Sequence, residues 1–258
     1  MTPVVIAHPP SQEADNACGS EPLSPVSDYA ESVEPHSRAA DNACGSEPQS
    51  PGALRRVGIV ACGALALHVS EIANRRGWDV AVHPLPPLLH NRPERIADAV
   101  ERELDRLAGR YDRLAVAYAD CGTYGALDDV LGRREVGRLR GDHCYDVFAR
   151  NEVADALAEE PGTYFLTDFL ARTFDHSVVR PLGLDRHPDL RDTYFKNYTR
   201  VVWLAQRPRL SLQKAAERAA ATLHLPLEIR QVGASGLERQ LEALVASATT
   251  PPSRQEVA

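Results

Sequence analysis

At 258 residues the chain has room for one large domain or two small ones, and a formal net charge of -7 argues against a nucleic-acid or membrane specialist. That charge sits in the first 52 residues, where eight acidic side chains face one arginine; the remaining 28 basic and 28 acidic residues cancel, leaving no basic footprint for DNA or RNA. Five cysteines, an odd number scattered through a mid-sized chain, argue against a secreted disulfide framework and for a reducing cytoplasm.

Residues 1–52 are rich in Pro, Ser, Ala and Glu and poor in large apolar groups, so they cannot bury enough surface to offset the entropy of ordering. They read as a disordered tail. The tail carries a duplication: ADNACGSEPLSP (Ala14 to Pro25) recurs as ADNACGSEPQSP (Ala40 to Pro51), differing only at Leu23 against Gln49. Two copies are too few for a solenoid, and a duplicated tether is favoured over a docking motif. Cys18 and Cys44 belong to this repeat and are set apart from the core cysteines. The opening MTPVVIAHPP lacks the basic region of a secretory signal, and no apolar run approaches a membrane span.

From Leu54 strand-like and helix-like stretches alternate. Arg56 to Ala61 reads as a first strand, Leu65 to Arg76 as a helix and Asp79 to Pro84 as a second strand. The segment LPPLLHNRPE holds three prolines, which lack amide donors, and is expected to be irregular. Asn91 is a plausible amino cap for the next helix, with Pro93 and Glu94 in its first turn and Leu107 near its end. Arg113 to Asp120 is a third, buried strand, Thr123 to Leu131 a short helix, and Val136 to Asp142 irregular. Tyr145 to Leu157 reads as a helix and Gly162 to Thr167 as a fourth strand. Helices and loops follow from Arg172 to Tyr198. Arg200 to Ala205 and Leu227 to Val232 are the last strands, with helices at Leu212 to Leu223 and Leu237 to Val245. The alternation predicts an α/β fold: one doubly wound, mainly parallel sheet with flanking helices over residues 53–248, preceded by the disordered tail and followed by a frayed end at 249–258.

Two of these strands end on Cys-Gly pairs, Cys62-Gly63 and Cys121-Gly122, at the carboxyl rim where open α/β sheets bind ligands. Cys144 lies in the loop GDHCY. If the fold brings Cys62, Cys121 and Cys144 together, their thiolates suit zinc or an iron-sulfur cluster and leave one coordination position open. The plainer alternative is that they are small buried residues, because their spacing matches no compact metal motif. His90, His143 and Asp120 are candidates for a fourth ligand, a general acid or base, or a positioning role. For the histidines a backbone-bonded structural role competes, and for Asp120 a capping role does. Arg92 and Asp168 are candidates for holding a cofactor or anionic ligand, although Arg92 could equally pair with Glu94 or Glu101. Thr167 and Asp168 end the fourth strand on the same rim. Tyr194, Phe195 and Tyr198 either wall a pocket or belong to the core. Walker, dinucleotide and GxSxG patterns are absent.

Five ordered stretches, IVACGAL (Ile59 to Leu65), LLHNRPE (Leu88 to Glu94), YADCGTYG (Tyr118 to Gly125), GDHCYDVFA (Gly141 to Ala149) and GTYFLTDFL (Gly162 to Leu170), resemble DUF1638, a prokaryotic family of proteins of unknown function. The resemblance implies a soluble cytoplasmic protein without an assigned activity, in proximity to corrinoid-dependent methyltransferase systems. It places Cys62, His90, Cys121, His143 and Cys144 inside family motifs. The expectation is a protein that binds zinc or an iron-sulfur centre through three cysteines, with an unidentified small molecule or partner enzyme. The alternatives are an accessory module for a small anion or a partner enzyme, built on Arg92, His90 and the aromatic region, and a cysteine nucleophile in which His143 or a helix end activates Cys121.

Overall fold

A computed structural model describes residues 56–249. The expected disordered tail with its repeat, Cys18 and Cys44, and the end beyond residue 249 lie outside the described residues. Six strands alternate with helices, as expected of an α/β chain, but the strands divide into two three-stranded parallel sheets.

In the first sheet β1 (Val57–Cys62) lies between β2 (Val80–Leu85) and β3 (Arg113–Ala117). Every residue of β1 is buried, which is why VGIVAC reads as one continuous apolar run. Parallel register sets Cys62 beside Leu85 and Ala61 beside Ala117. In the second sheet β5 (Arg200–Ala205) runs between β4 (Thr163–Thr167) and β6 (Leu227–Gln231).

The free edge of β3 explains why the strands form two sheets rather than one. The segment expected to be irregular before Asp142 runs alongside it: the Val116 amide donates to Gly137 O at 2.9 Å and the Leu139 amide to Val116 O at 3.2 Å. With that edge occupied, β4 has no place beside β3 and begins a sheet of its own.

Helices α1 (Gly63–Arg76), α2 (Ile96–Leu107) and α8 (Ser235–Thr249) contribute Leu65, Val69, Ile96, Leu104, Leu237 and Leu241 to the core of the first sheet. Helices α5 (Asp168–Phe174) and α7 (Leu210–Leu223) cover the second, with Phe174, Ala216 and Leu223 packed near Trp203. Helix α4 (Cys144–Glu159) serves both. Its start adds Val147 and Phe148 to the first core, and its end packs Val153 and Ala156 against Phe165 and Val202 of the second sheet. The helix breaks at Ala149 (φ -154°, ψ 60°), next to where Gly236 of α8 meets the Phe148 carbonyl.

Three local expectations need correction. The proline-rich segment is ordered as two 3-10 turns, Pro87–Asn91 and Pro93–Arg95, with each proline at a first-turn position that needs no amide donor. Asn91 does not cap α2; its side chain donates to Ser177 O at 3.3 Å, and the helix starts at Ile96 behind the second turn. Helix α3 spans Ala126–Arg134 rather than starting at Thr123, because Cys121, Gly122, Tyr124 and Gly125 all take positive φ and form a loop. A five-residue helix, α6 (Leu190–Tyr194), completes the set.

Candidate functional site

The carboxyl ends of β1, β2 and β3 bring one group of side chains together. Cys62 is the last residue of β1 and the residue before α1. Gly63 follows because a Cβ there would lie 2.5 Å from Leu85 O and 2.9 Å from Pro87 N. The close approach anticipated at this Cys-Gly pair is therefore made by the chain itself, and it sets the turn carrying His90 against the end of β1. Both ring nitrogens of His90 lie 3.8 Å from Cys62 Sγ. His90 Nδ1 is also 3.0 Å from Pro87 O, so when this nitrogen carries the proton it donates there and Nε2 keeps its lone pair.

Cys121, in the loop four residues beyond the end of β3, and Cys144, at the start of α4, reach the same imidazole. The Cys121 backbone is held by its amide donating to Asp142 O at 2.8 Å, which draws the Gly141 to Cys144 loop toward the end of β3. Cys121 itself has φ 52°, a costly conformation for a residue with a side chain, and Gly122 at φ 83° continues the turn. Three thiols remote in sequence thus share His90 as a neighbour.

Charge in this cluster is divided. Burial opposes a thiolate at Cys62, but His90 and the amides of Ala64 and Leu65 outweigh it and hold the thiol below its ordinary range. Burial also opposes an imidazolium at His90, yet the three thiols raise it well above its ordinary value. Burial wins at Cys121, whose thiol is pushed up despite His90. The arrangement favours a Cys62 thiolate beside a His90 imidazolium, with Cys121 kept as a thiol.

Tyr118 was not singled out by sequence reasoning. Its hydroxyl is buried facing Cys62 without completing a well-formed hydrogen bond, and its ring stacks 6.3 Å from that of His90. Burial and the neighbouring Cys62 push the phenol far above its ordinary range, so it remains a donor. A lone hydroxyl inside the apolar run that forms β3 and its end was the signal available. A buried hydroxyl of this kind calls for a partner.

The other candidates are placed elsewhere. His143 stacks on Tyr145 at 4.8 Å, with its Nδ1 3.7 Å from the Asp146 carboxylate at the start of α4. Asp120 organises its own loop, accepting from Thr123 Oγ1 at 2.8 Å and from the amides of Gly122, Tyr124 and Gly125. Although burial works against it, this set of donors holds the Asp120 carboxyl below its ordinary value. Arg92 is exposed and pairs with neither Glu94 nor Glu101; Glu101 instead faces Arg133 and Arg134. Asp168 is buried and accepts from Trp203 Nε1 and from the amides of Gln206 and Arg207. Thr167 caps α5 through Leu170 N. Phe195 and Tyr198 pack with Tyr164 in the core of the second sheet, with Tyr194 against the same core.

As placed, no set of three or more His, Cys, Asp or Glu side chains among the described residues is arranged to hold a metal ion. The donor types nevertheless fit a soft metal: three sulfurs and one imidazole nitrogen, with the histidine oriented by a backbone carbonyl. No described helix is long and apolar enough to cross a membrane.

The chain matches the model of one protein family, described as a protein of unknown function (DUF1638), over residues 84–241. Neither the curated proteins nor the solved structures gave a match.

Proposed function

The chain belongs to the DUF1638 family, and from that premise we propose that Cys62, Cys121 and Cys144, with His90, form a binding centre for a soft metal ion, zinc or the iron of a cluster. The observation that carries this reading is the convergence of three thiols on one imidazole whose Nδ1 is anchored to Pro87 O. Rotation of the thiol side chains about their Cα–Cβ bonds would bring the sulfurs to bear on a metal held at Nε2. A bound metal would supply Lewis acidity or an activated thiolate. The chain's own residues do the rest: Pro87 O fixes the imidazole, the amides of Ala64 and Leu65 stabilise charge on Cys62, and Tyr118 offers a hydrogen bond to whatever enters. An accessory role in corrinoid-dependent methyl transfer is part of this proposal.

Metal analysis and absorption spectroscopy of anaerobically purified protein provide the test. The expected result is stoichiometric metal that is lost in Cys121→Ser. Metal-free protein, unchanged by that substitution, would overturn the reading.

A second reading is favoured by one specific feature, the depressed Cys62 thiol at the amino end of a 14-residue helix. There Cys62 is a nucleophile and His90 its activating partner, in place of the sequence alternative in which His143 or a helix end activates Cys121. It predicts metal-free protein in which iodoacetamide labels Cys62 selectively near neutral pH.

A further inference from the structure

We propose that a second cavity, lined by α1, α5 and the start of α7, binds the phosphoryl group of a small molecule. The cavity encloses about 270 Å³, and its walls include His68, Asp168, Arg172, Arg207, Arg209 and Ser211. Asp168 is committed to the wall itself: its carboxylate accepts from the Arg207 amide at 2.7 Å and the Gln206 amide at 3.2 Å, fixing the segment after β5.

The cations on this wall are only partly answered. Arg207 pairs with Glu71 of α1. Among the described residues the guanidinium groups of Arg172 and Arg209 make no ion pair or hydrogen bond, although Arg172 is felt by Asp168. Burial lowers the Arg207 guanidinium from its ordinary value, and the charge of Arg209 lowers it further. Such mutual repulsion is relieved by an anion between them.

His68 points to the same ligand independently. It is 8% exposed and lines the cavity, yet its ring makes no hydrogen bond among the described residues; an aromatic contact is made with the Phe148 ring, 5.2 Å away edge-on. Burial first, then Arg207 and Arg172, bring its pKa down to about 4. The ring is therefore neutral near pH 7 and presents one N–H donor to the cavity without adding charge. The fourth contribution comes from α7, whose first turn carries no acidic residue and no side-chain cap, so its leading amides remain available to an oxyanion. Guanidiniums, a neutral imidazole N–H and helix amides together suit a tetrahedral dianion better than a planar carboxylate.

The site is independent of the thiol centre and is tested on the full chain with inorganic phosphate at constant ionic strength, with malonate as the carboxylate comparison. Phosphate is expected to bind saturably, raise the unfolding temperature and move the His68 titration midpoint upward, because an adjacent anion favours the imidazolium. Arg172→Gln combined with Arg209→Gln, both at exposed positions, should weaken phosphate roughly tenfold or more. Cys121→Ser should leave binding unchanged. Absence of saturation, indifference to the double substitution, or malonate binding as tightly as phosphate would each overturn the proposal.

Discussion

Cys62 owes its character to the place where its strand stops. One residue earlier it would lie inside β1, without the amides of Ala64 and Leu65 or the turn that carries His90. The signs of the two shifts define a pH window. Stabilisation from the lowered Cys62 is lost as pH falls through its folded value, and that from the raised His90 is lost as pH rises through its own. Between those limits the thiolate and imidazolium coexist. In metal-free protein, His90→Gln should move the pH midpoint of Cys62 alkylation upward, because burial then acts with less opposition. Tyr118→Phe removes a hydroxyl without a well-formed hydrogen bond and should leave unfolding in denaturant nearly unchanged while weakening metal retention. His68 gives a second pH signature. Its folded value of about 4 against an ordinary 6.5 means that the unfolded chain takes up the proton first, so stability falls as pH drops from 6.5 toward 4. Arg172, Arg207 and Asp168 face the same cavity, with Arg172 and Arg207 charged throughout this range, and the His68 share is on the order of 3 kcal/mol. Urea unfolding of His68→Gln should show a shallower acid limb.

At the scale of elements, the decisive contact is the turn after β2 lying against the end of β1. Gly63→Ala would force Leu85 O and Pro87 away and carry His90 with them. The expected outcome is loss of the Cys62 alkylation advantage with the secondary structure kept, read by circular dichroism and labelling. Asp168→Ala would strand the indole of Trp203 and two amides, costing about 2–4 kcal/mol in denaturant unfolding. Much of this level could be read from the chain. Strands β1, β3 and β5 declare themselves as apolar runs, and the Cys-Gly pairs mark the rim. Asn91 misled because its cap-like position is used for a long-range bond to Ser177, which no local pattern encodes. Cys121 misled in another way: a residue with a side chain at positive φ delays α3 by three residues relative to its expected start, and propensity assigns no such conformation to it.

For the molecule as a whole, the number of strands and their parallel sense were legible, but their division between two sheets was not. That division rests on residues 137–139 pairing with β3, and a bridge of this length leaves no periodic trace. The meeting of three thiols on His90 was half legible. The strand ends placed Cys62 and Cys121 on one rim, whereas Cys144 arrives through the amide of Cys121 bonding Asp142 O. Helix α8 is the other long-range element, since Leu237, Leu241 and Leu244 belong to the core of the first sheet although they follow every strand of the second. Leu241→Ala should cost about 2–5 kcal/mol in global unfolding. During translation, then, β1 to β3 emerge from the ribosome well before the helix that shields one of their faces. Those apolar surfaces stay uncovered until the other half of the protein is made, an interval of aggregation risk that an order with each sheet closed by its own neighbours would shorten.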